Sequence, residues 1–376
     1  MMTAGLNDAL SKRMRQRRGP PLLYLLEAIA SGRGDLSLDS FDAVPVAWAL
    51  ESGLGPLFFR AVKERPDNSA FPYWGSLKAA DLTARIVAGD QVEAMGEIID
   101  ACRRNAPPLT LLKGISVSEE WYPESHLRSM RDLDFLVAKE ALPAVEATLK
   151  ALGYRQPCPD PAQRYGNHHH AAPFFHPGQN VWVEVHHGLF SPHKRASRAP
   201  VFSPENVLAQ RRRSQFHGRE AYRLSAELQL VYLAAHWGQD FTRLGGMIAL
   251  VDAIFLLHRA GGDLRWDRIL HWIQGSVAAT YLFLLLSYMD RRHLIKMAPE
   301  MMRELFLAQP TFGRVSLKAA HLLIDRFFVT GKSFGPVLSE RNVSIVWKTL
   351  LLPGPSSRNL MLAPLNLSLP FHCRIQ

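Results

Sequence analysis

The sequence predicts an α+β protein in which a small mixed β-sheet, with helices on one side, is preceded and followed by helical regions. Two observations indicate this class. Short apolar runs with the composition of strands are confined to residues 106–200, whereas apolar residues recur at helical spacing before and after them. A hydrophobic content of 47% with 21% charged residues is typical of a folded globular protein, and 376 residues are enough for two or three packed units.

The first part of the chain divides into a basic arm and a helical region. Residues 1–19 contain the run Lys-Arg-Met-Arg-Gln-Arg-Arg and are expected to form a flexible basic arm. Residues 20–105 are expected to be helical, most clearly along the proline-free stretch 74–105. Pro107 and Pro108 end this last helix just before the first strand.

The central region, residues 106–200, begins with a strand, a glycine turn and a helix. Residues 109–112 form a short apolar run that ends in Lys113 and Gly114, and residues 115–121 have helical character. Glycine at such a turn allows the backbone to approach a phosphate, and the helix N-terminus offers free N–H groups and a positive dipole end. This segment therefore predicts a phosphate-binding turn.

Two carboxylates follow on the second predicted strand. Asp132 and Asp134 are separated by one apolar residue in the run Asp-Leu-Asp-Phe-Leu-Val. Alternate strand residues point to the same face, so both carboxylates project together while Leu133, Phe135 and Val137 face the other way. Two such carboxylates repel each other unless a cation lies between them, and oxygen ligands suit Mg²⁺. The pattern predicts a metal site; the alternative is a strand end whose acids are solvated or paired with arginine.

A third carboxylate lies on a later predicted strand. In residues 181–187 the valines alternate with Trp182, Glu184 and His186, so these three share one face. Residues 168–176 are expected to pair with this strand across a turn. The hairpin would carry Glu184 into the sheet beside the aspartates.

Seven histidines lie within residues 168–193, which makes a histidine-based metal site an alternative. On a strand, however, neighbouring side chains point to opposite faces, so His168, His169 and His170 are not expected to bind one ion together. His186, which shares the face of Glu184, is the histidine expected to be functional, in contact with phosphate or with a metal ligand.

Beyond residue 200 the sequence indicates mainly helices. Residues 203–213 are expected to form a helix, and six further helices are expected between residues 226 and 329, within a C-terminal helical domain that spans 201–342. His236 and Asp252 lie on apolar helices, where a polar side chain needs a partner. The final stretch, 343–376, is apolar and interrupted by prolines, and is expected to pack back on the core or to contact a membrane surface or a partner.

A series of motifs resembles one known family. The motifs are Leu-Lys-Gly at 112–114, Tyr122-Pro123, Arg128, Asp-Leu-Asp-Phe-Leu-Val at 132–137, Leu152-Gly153-Tyr154 and Val-Glu-Val-His at 183–186. Over roughly residues 105–190, their order and spacing resemble the bacterial family of uncharacterised nucleotidyltransferases, within the superfamily typified by DNA polymerase beta. A looser resemblance extends to the helical region 236–252.

The resemblance implies transfer of a nucleoside monophosphate from a nucleoside triphosphate, with ATP the favoured donor, to an acceptor hydroxyl or phosphate. It implies that Asp132, Asp134 and Glu184 are the catalytic residues and hold Mg²⁺, or Mn²⁺, in a two-metal site. It also implies a set of nucleotide-binding residues, namely Lys113, Gly114, Ser116, Arg128 and His186.

The sequence leaves the acceptor open. The net charge of +10, from 44 Lys and Arg against 34 Asp and Glu, slightly favours RNA or a phosphorylated small molecule, and a protein hydroxyl is a further candidate. The alternative function is a non-catalytic scaffold of the same fold that binds nucleotide or nucleic acid. The complete set of three carboxylates favours the enzyme.

Cysteine usage and hydropathy predict a cytoplasmic protein without a transmembrane segment. Cys102, Cys158 and Cys373 are far apart and form no CxxC pair, as is typical of a reducing compartment. The longest apolar run, residues 277–289, is shorter than the roughly 20 residues that a membrane span needs, and we expect it to be a buried helix.

Overall fold

The computed structural model describes residues 21–32, 44–64, 68, 71–104, 108–239, 243–329, 346–347 and 350–351. Within these ranges the protein has 14 α-helices and a six-stranded mixed sheet, which confirms the predicted α+β class. The predicted basic arm, 1–19, and most of the predicted tail, 343–376, lie outside the described residues. Trp347 and Leu351 of that tail are described, and both are buried in the larger of two hydrophobic clusters.

The helices that precede the sheet are α1 Pro21–Ala30, α2 Val46–Glu51, α3 Gly55–Val62 and α4 Trp74–Cys102. The 29 residues of α4 agree with the long helix predicted over 74–105. Met95 and Ile98 of α4 are fully buried in the hydrophobic cluster that covers one face of the sheet. The helix therefore supports the sheet from one side and delivers the chain to its first strand.

The sheet consists of β1 Thr110–Leu111, β2 Asp132–Leu136, β3 Phe174–His176, β4 Val181–His186, β5 Arg211–Phe216 and β6 Arg219–Leu224. The strand order is β3-β4-β2-β1-β6-β5. β2 is parallel to β4 and β1 is parallel to β6, while the other neighbouring pairs are antiparallel. Strands that are distant in sequence, β2 and β4, thus become direct neighbours.

Alternation along β2 and β4 gives the sheet one apolar and one polar face. The apolar side chains are fully buried together with residues of α4 and of α6, Leu142–Ala151, and they include Leu133, Phe135, Val183 and Val185. Asp134 and Glu184 project from the opposite face because strand side chains alternate. The predicted division of these residues between two faces is confirmed.

The segment predicted as a helix over 203–213 instead divides into a short helix and a strand. Helix α8, Pro204–Ala209, begins after Ser203, whose hydroxyl oxygen accepts the backbone N–H of Asn206. The chain then enters the hairpin β5–β6, which turns at His217 and Gly218 with φ values of 47° and 80°. The prediction was wrong at this point because a run of arginines has no apolar periodicity that would separate a helix end from an edge strand.

The region before β3 also differs from its prediction. Only Phe174–His176 of the predicted strand 168–176 forms a strand beside β4, and an isolated bridge joins His170 to His186. Helix α7, Pro161–Tyr165, and a bend at His168 precede this bridge. The histidines here are therefore not subject to the alternation of a strand.

The helices after the sheet are α9 Ala226–Gln239, α10 Arg243–Ala260, α11 Trp266–Ile273, α12 Val277–Arg291, α13 Pro299–Ala308 and α14 Arg314–Leu323, followed by the π-helical turn Ile324–Val329. They agree with the six predicted helices, and α9, α10 and α12 form much of the larger hydrophobic cluster. Helix α12 is buried, as predicted for the longest apolar run. Among the described residues, no helix is both long and apolar enough to span a membrane.

Candidate active site

Two acidic side chains meet on the polar face of the sheet, where β2 and β4 run parallel. Asp134 and Glu184 are register partners, so their side chains are adjacent and share a face. His186 lies two residues further along β4, and ligand atoms of Asp134, Glu184 and His186 all lie within 4.8 Å of one another. This spacing is compatible with a shared metal ion.

Lys113 places its ammonium group between these carboxylates. Its Nζ donates to Asp134 Oδ1 at 2.8 Å and lies 3.7 Å from Glu184 Oε2. Lys113 is the first residue of α5, Lys113–Trp121, and has a φ of 41°, which is unusual for a residue other than glycine. Burial disfavours the charged amine, but the neighbouring Asp134, Tyr232 and Glu184 outweigh this effect and raise the pKa of Lys113.

His186 is fully buried against the same carboxylates. Its Nε2 lies 2.7 Å from Asp134 Oδ1 and 3.4 Å from Glu184 Oε2. Burial and Lys113 lower the pKa of His186, but the hydrogen bonds to the two carboxylates outweigh them and raise it. Burial also opposes the charge of Asp134, yet Lys113 and His186 hold the pKa of this carboxyl far below its ordinary value. Asp134 is thus an ionised carboxylate paired with Lys113 and hydrogen-bonded to His186.

Asp132 is a partly exposed member of the acidic set. It precedes Asp134 by two residues on β2 and therefore faces the same side of the sheet. Burial, together with repulsion from Asp134 and Glu184, raises the pKa of Asp132 to about 7. A neighbouring cation would favour the ionised form of Asp132 and lower this pKa.

A buried ion pair joins the segment before β2 to the C-terminal helices. Arg128 donates from Nε to Asp252 Oδ1 at 2.9 Å and from Nη2 to Asp252 Oδ2 at 2.8 Å, and the Tyr122 hydroxyl donates to Asp252 Oδ1 at 2.8 Å. Asp252 lies on α10 and is fully buried. The predicted need of Asp252 for a partner is confirmed, and the partner is one of the predicted nucleotide-binding residues.

Gly114 is required where α5 passes the Arg128 side chain. A Cβ atom at this position would lie 2.6 Å from Arg128 Nη1 and 2.8 Å from the Cγ and Sδ atoms of Met130, closer than van der Waals contact allows. Replacing Gly114 by alanine is therefore expected to lower the free energy of unfolding by about 1–3 kcal/mol, the usual cost of overpacking. Chemical denaturation followed by circular dichroism measures this change.

Gly89 offers a matched control, because it lies within α4 and a Cβ atom there would meet nothing within 4 Å. Gly89→Ala is expected to be neutral or to stabilise the protein by up to about 1 kcal/mol, since alanine is the better helix former. Equal unfolding free energies for Gly114→Ala and the wild type would contradict the close packing at Arg128.

The structure brings most of the predicted site residues together. The residues in direct contact are Lys113, Asp134, Glu184 and His186. Asp132 lies on the same face of β2 but is not in the group whose ligand atoms lie within 4.8 Å of one another, and Gly114 packs against Arg128. Ser116 is different, because it is 1% exposed within α5 and its carbonyl accepts a hydrogen bond from Arg223 of β6. A role for the Ser116 side chain in nucleotide binding stays a prediction.

Three histidines that were expected to point apart lie side by side. The ring centroids of His168, His169 and His170 are 4.1, 4.6 and 4.7 Å apart, and one ring nitrogen of each lies within 4.8 Å of the others. The expectation that they cannot share an ion was wrong, because they do not form a strand. Burial lowers the pKa of all three, that of His170 to about 4, so these imidazoles are neutral at pH 7.

A cavity of about 280 Å³ is lined by the three histidines and by Glu184 of the acidic set. Lys113, Lys194 and Glu184 line it, and His236 and Gln239 of α9 form part of its wall. Lys194 and Gln239 were not identified from the sequence, because a loop lysine and a glutamine at a helix end belong to no motif. A larger cavity, of about 560 Å³, lies against the β5–β6 hairpin and is not lined by Asp132, Asp134 or Glu184.

The mixed sheet carries an acidic set beside a lysine-glycine turn at a helix N-terminus, which is the arrangement expected from the resemblance to nucleotidyltransferases. The profile of the family described as uncharacterised nucleotidyltransferase matches residues 45–292, which include the whole sheet. The chain belongs to this family, and the resemblance inferred from its motifs is confirmed. Membership indicates a transferase whose substrate is a nucleoside triphosphate. Searches of curated proteins and of solved structures gave no match.

Proposed function

We propose that this protein transfers a nucleoside monophosphate from a nucleoside triphosphate, preferably ATP, to an acceptor hydroxyl or phosphate, with Asp132, Asp134 and Glu184 holding divalent cations. The observation that carries the proposal is the position of Lys113. Its ammonium group lies between Asp134 and Glu184, at 2.8 and 3.7 Å from their oxygens. The site therefore stabilises a cation at the point where a shared metal ion would be held.

The residues around this point fit Mg²⁺, with Mn²⁺ as the second candidate. Carboxylate oxygens combined with substrate phosphates are the usual ligands of Mg²⁺ in enzymes that act on nucleotides. The raised pKa of Asp132, about 7, also supports the placement of additional positive charge beside it. When bound, the ions supply Lewis-acid stabilisation of the transferred phosphoryl group and lower the pKa of the acceptor hydroxyl.

The residues of the lysine-glycine turn bind the triphosphate in this proposal. Lys113 exchanges its contact with Asp134 for the phosphate oxygens when the nucleotide enters. The N–H groups at the start of α5, around Gly114, offer the positive end of the helix dipole to the same anion, whereas the N–H of Ser116 donates to the carbonyl of Leu112. His186 stays hydrogen-bonded to Asp134 and fixes the orientation of this carboxylate.

Arg128 completes the positive surroundings of the phosphates. Asp252 holds its guanidinium in a bidentate pair, and from this position Arg128 favours the ionised forms of Asp132 and Asp134. With the triphosphate held in this way, the acceptor oxygen attacks the α-phosphorus atom and forms a phosphodiester bond from a hydroxyl, whose proton passes to water, or a phosphoanhydride bond from a phosphate. The bond to the pyrophosphate oxygen breaks, and pyrophosphate leaves with the electron pair.

The Lys113→Gln variant tests whether Lys113 exchanges Asp134 for the phosphates, because the variant is expected to bind Mg²⁺ more tightly and the triphosphate more weakly. Without nucleotide, Lys113 competes with Mg²⁺ for Asp134 and Glu184, so the variant is expected to bind Mg²⁺ about tenfold more tightly. With nucleotide, a charge-assisted hydrogen bond is lost, so binding of the triphosphate is expected to weaken about tenfold or more. Isothermal titration calorimetry measures both affinities.

Lys150→Gln is the matched control for this substitution, since Lys150 is exposed on α6. It is expected to leave both affinities unchanged. A Lys113→Gln protein that loses Mg²⁺ binding, or that keeps wild-type affinity for the triphosphate, would contradict the proposed exchange.

The acceptor is identified by incubating the protein with Mg²⁺, a cell extract and each α-labelled nucleoside triphosphate in turn. Digestion of the labelled product with ribonuclease or protease separates an RNA acceptor from a protein acceptor, and resistance to both indicates a small molecule. The net charge of +10 supports RNA or a phosphorylated small molecule as the first acceptors to examine. Triphosphate binding without any labelled product would instead support the non-catalytic scaffold.

A further inference from the structure

The three consecutive histidines beside the active-site cleft have the arrangement of a second ligand set. One ring nitrogen from each of His168, His169 and His170 lies within 4.8 Å of the other two. We propose that these histidines form a binding site for a borderline transition-metal ion, with Zn²⁺ the best-fitting ion, and that this site is separate from the carboxylates that hold Mg²⁺.

The backbone of this segment is fixed on both sides, so the three rings converge before any ion binds. The N–H of His168 donates to the carbonyl of Tyr165 at 2.9 Å. The carbonyl of His169 accepts the N–H groups of His187 and Gly188 at 2.9 and 3.2 Å, just after the end of β4. A site held in this way requires little reorganisation to bind a metal ion, which favours affinity.

Hydrogen bonds to the second ring nitrogen determine which atom of each histidine is available as a ligand. His170 Nδ1 donates to the carbonyl of Ala171 at 2.7 Å, which leaves the lone pair of its Nε2 for a metal ion. His169 Nδ1 forms a hydrogen bond of 2.7 Å with the hydroxyl of Ser191, and in the tautomer in which Nδ1 donates this bond the lone pair of Nε2 is available. Ligating histidines in metal sites are typically oriented by such contacts.

His168 contributes an independent observation. Its Nδ1 is buried and has no hydrogen-bond partner within the described part of the chain. A buried polar atom without a partner is costly, and a coordinated ion would satisfy it. This nitrogen therefore points to a ligand that the protein atoms described here do not provide.

The nature of the donors selects the ion. Imidazole nitrogens suit Zn²⁺, which is bound by three protein ligands and one further group in open sites, whereas Mg²⁺ prefers oxygen. Glu184 Oε2 lies 3.8 Å from His170 Nε2 but belongs to the Mg²⁺ set, so the fourth position of the Zn²⁺ site is open to water. Lys113 and Lys194 also line the cavity, and their positive charges oppose the binding of a cation. The ion is therefore held by direct coordination to the imidazole nitrogens and not by a negative potential.

The test measures Zn²⁺ binding in the presence of excess Mg²⁺, by competition with a chromophoric chelator. The wild type is expected to bind one Zn²⁺ per chain with micromolar or tighter affinity. The His168→Ala/His170→Ala variant is expected to bind at least about 100-fold more weakly, because two of three ligands are gone. The control, His217→Ala/His271→Ala, removes two exposed histidines and is expected to bind like the wild type.

A second variant separates this site from the carboxylates. Asp132→Asn/Asp134→Asn is expected to keep Zn²⁺ binding, even if nucleotidyl transfer is lost. The proposal is overturned if the wild type does not bind Zn²⁺, or if the aspartate variant loses binding while the histidine variant keeps it, because the ion would then lie among Asp134, Glu184 and His186. These results do not depend on whether the protein transfers nucleotides.

Cobalt provides a readout on the wild type that requires no variant to fold. Co²⁺ bound by three imidazoles and a fourth ligand in a tetrahedral site is expected to give intense visible absorption bands that Zn²⁺ abolishes by displacement. Weak bands of an octahedral ion, or no displacement by Zn²⁺, would overturn the proposed ligand set.

Discussion

Replacing Asp132 by asparagine is expected to lower nucleotidyl transfer by about 1,000-fold. In the proposed mechanism an amide takes the place of a metal-binding carboxylate, and the loss of about 4 kcal/mol of transition-state stabilisation corresponds to this factor. Initial rates of transfer from the preferred labelled triphosphate, measured at fixed Mg²⁺, give the change directly.

The same substitution is expected to leave the metal-free protein folded and slightly more stable. Burial, Asp134 and Glu184 raise the pKa of Asp132 from 3.8 to about 7, so the folded protein binds this proton more tightly than the unfolded chain. The resulting stabilisation is complete below about pH 4 and is lost as the pH rises through 7. At pH 8 in EDTA, the variant is therefore expected to have a free energy of unfolding higher by an amount on the order of 1 kcal/mol, and this difference should disappear towards pH 4.

Asp90→Asn is the matched control, because Asp90 is exposed on α4, and it is expected to change neither activity nor stability. Loss of activity together with unchanged or higher stability would separate a functional role from a structural one. Wild-type transfer by Asp132→Asn would show that this carboxylate is not required, and it would favour the scaffold over the enzyme. A clear loss of stability at pH 8 would contradict the electrostatic description of the site.

Local patterns were sufficient to predict which side chains share a face of the sheet. Alternation in the run around Asp132 and Asp134 predicted both faces of β2, and the valines around Glu184 did the same for β4. The register between these strands was not predictable in this way, because Asp134 and Glu184 are distant in sequence and their pairing depends on how β1, β2 and β4 assemble. The position of Lys113 between the two carboxylates follows from that assembly.

The incorrect predictions arose where a local rule was applied to the wrong type of structure. The alternation rule holds only within a strand, so it failed for His168 and its two neighbours, which precede the strand. The arginines from Arg211 onwards were assigned to a helix end, although they form an edge strand paired with β6. Both segments are polar, and polar residues carry little information about secondary structure because burial does not constrain their spacing.

Asp252→Ala is expected to lower the free energy of unfolding by about 3–5 kcal/mol. Asp252 is fully buried and is the bidentate partner of Arg128, whose side chain is only 12% exposed. Removal of the carboxylate leaves a buried guanidinium without its counter-ion and the Tyr122 hydroxyl without its acceptor. Such an uncompensated charge is among the most destabilising consequences of a single substitution. Urea denaturation of the purified protein measures the loss.

Asp267→Ala provides the control, since Asp267 pairs with Arg265 on the surface, with a nitrogen-to-oxygen distance of 3.0 Å. An exposed ion pair in water contributes little to stability, so no measurable change is expected from this variant. Asp252→Asn keeps an oxygen acceptor for Tyr122. Its free energy of unfolding is expected to lie between those of the Asp252→Ala and Asp267→Ala proteins. Equal stability of the Asp252→Ala and Asp267→Ala proteins would show that the Arg128 guanidinium reaches solvent when its partner is removed, and that the ion pair does not hold it in the cleft.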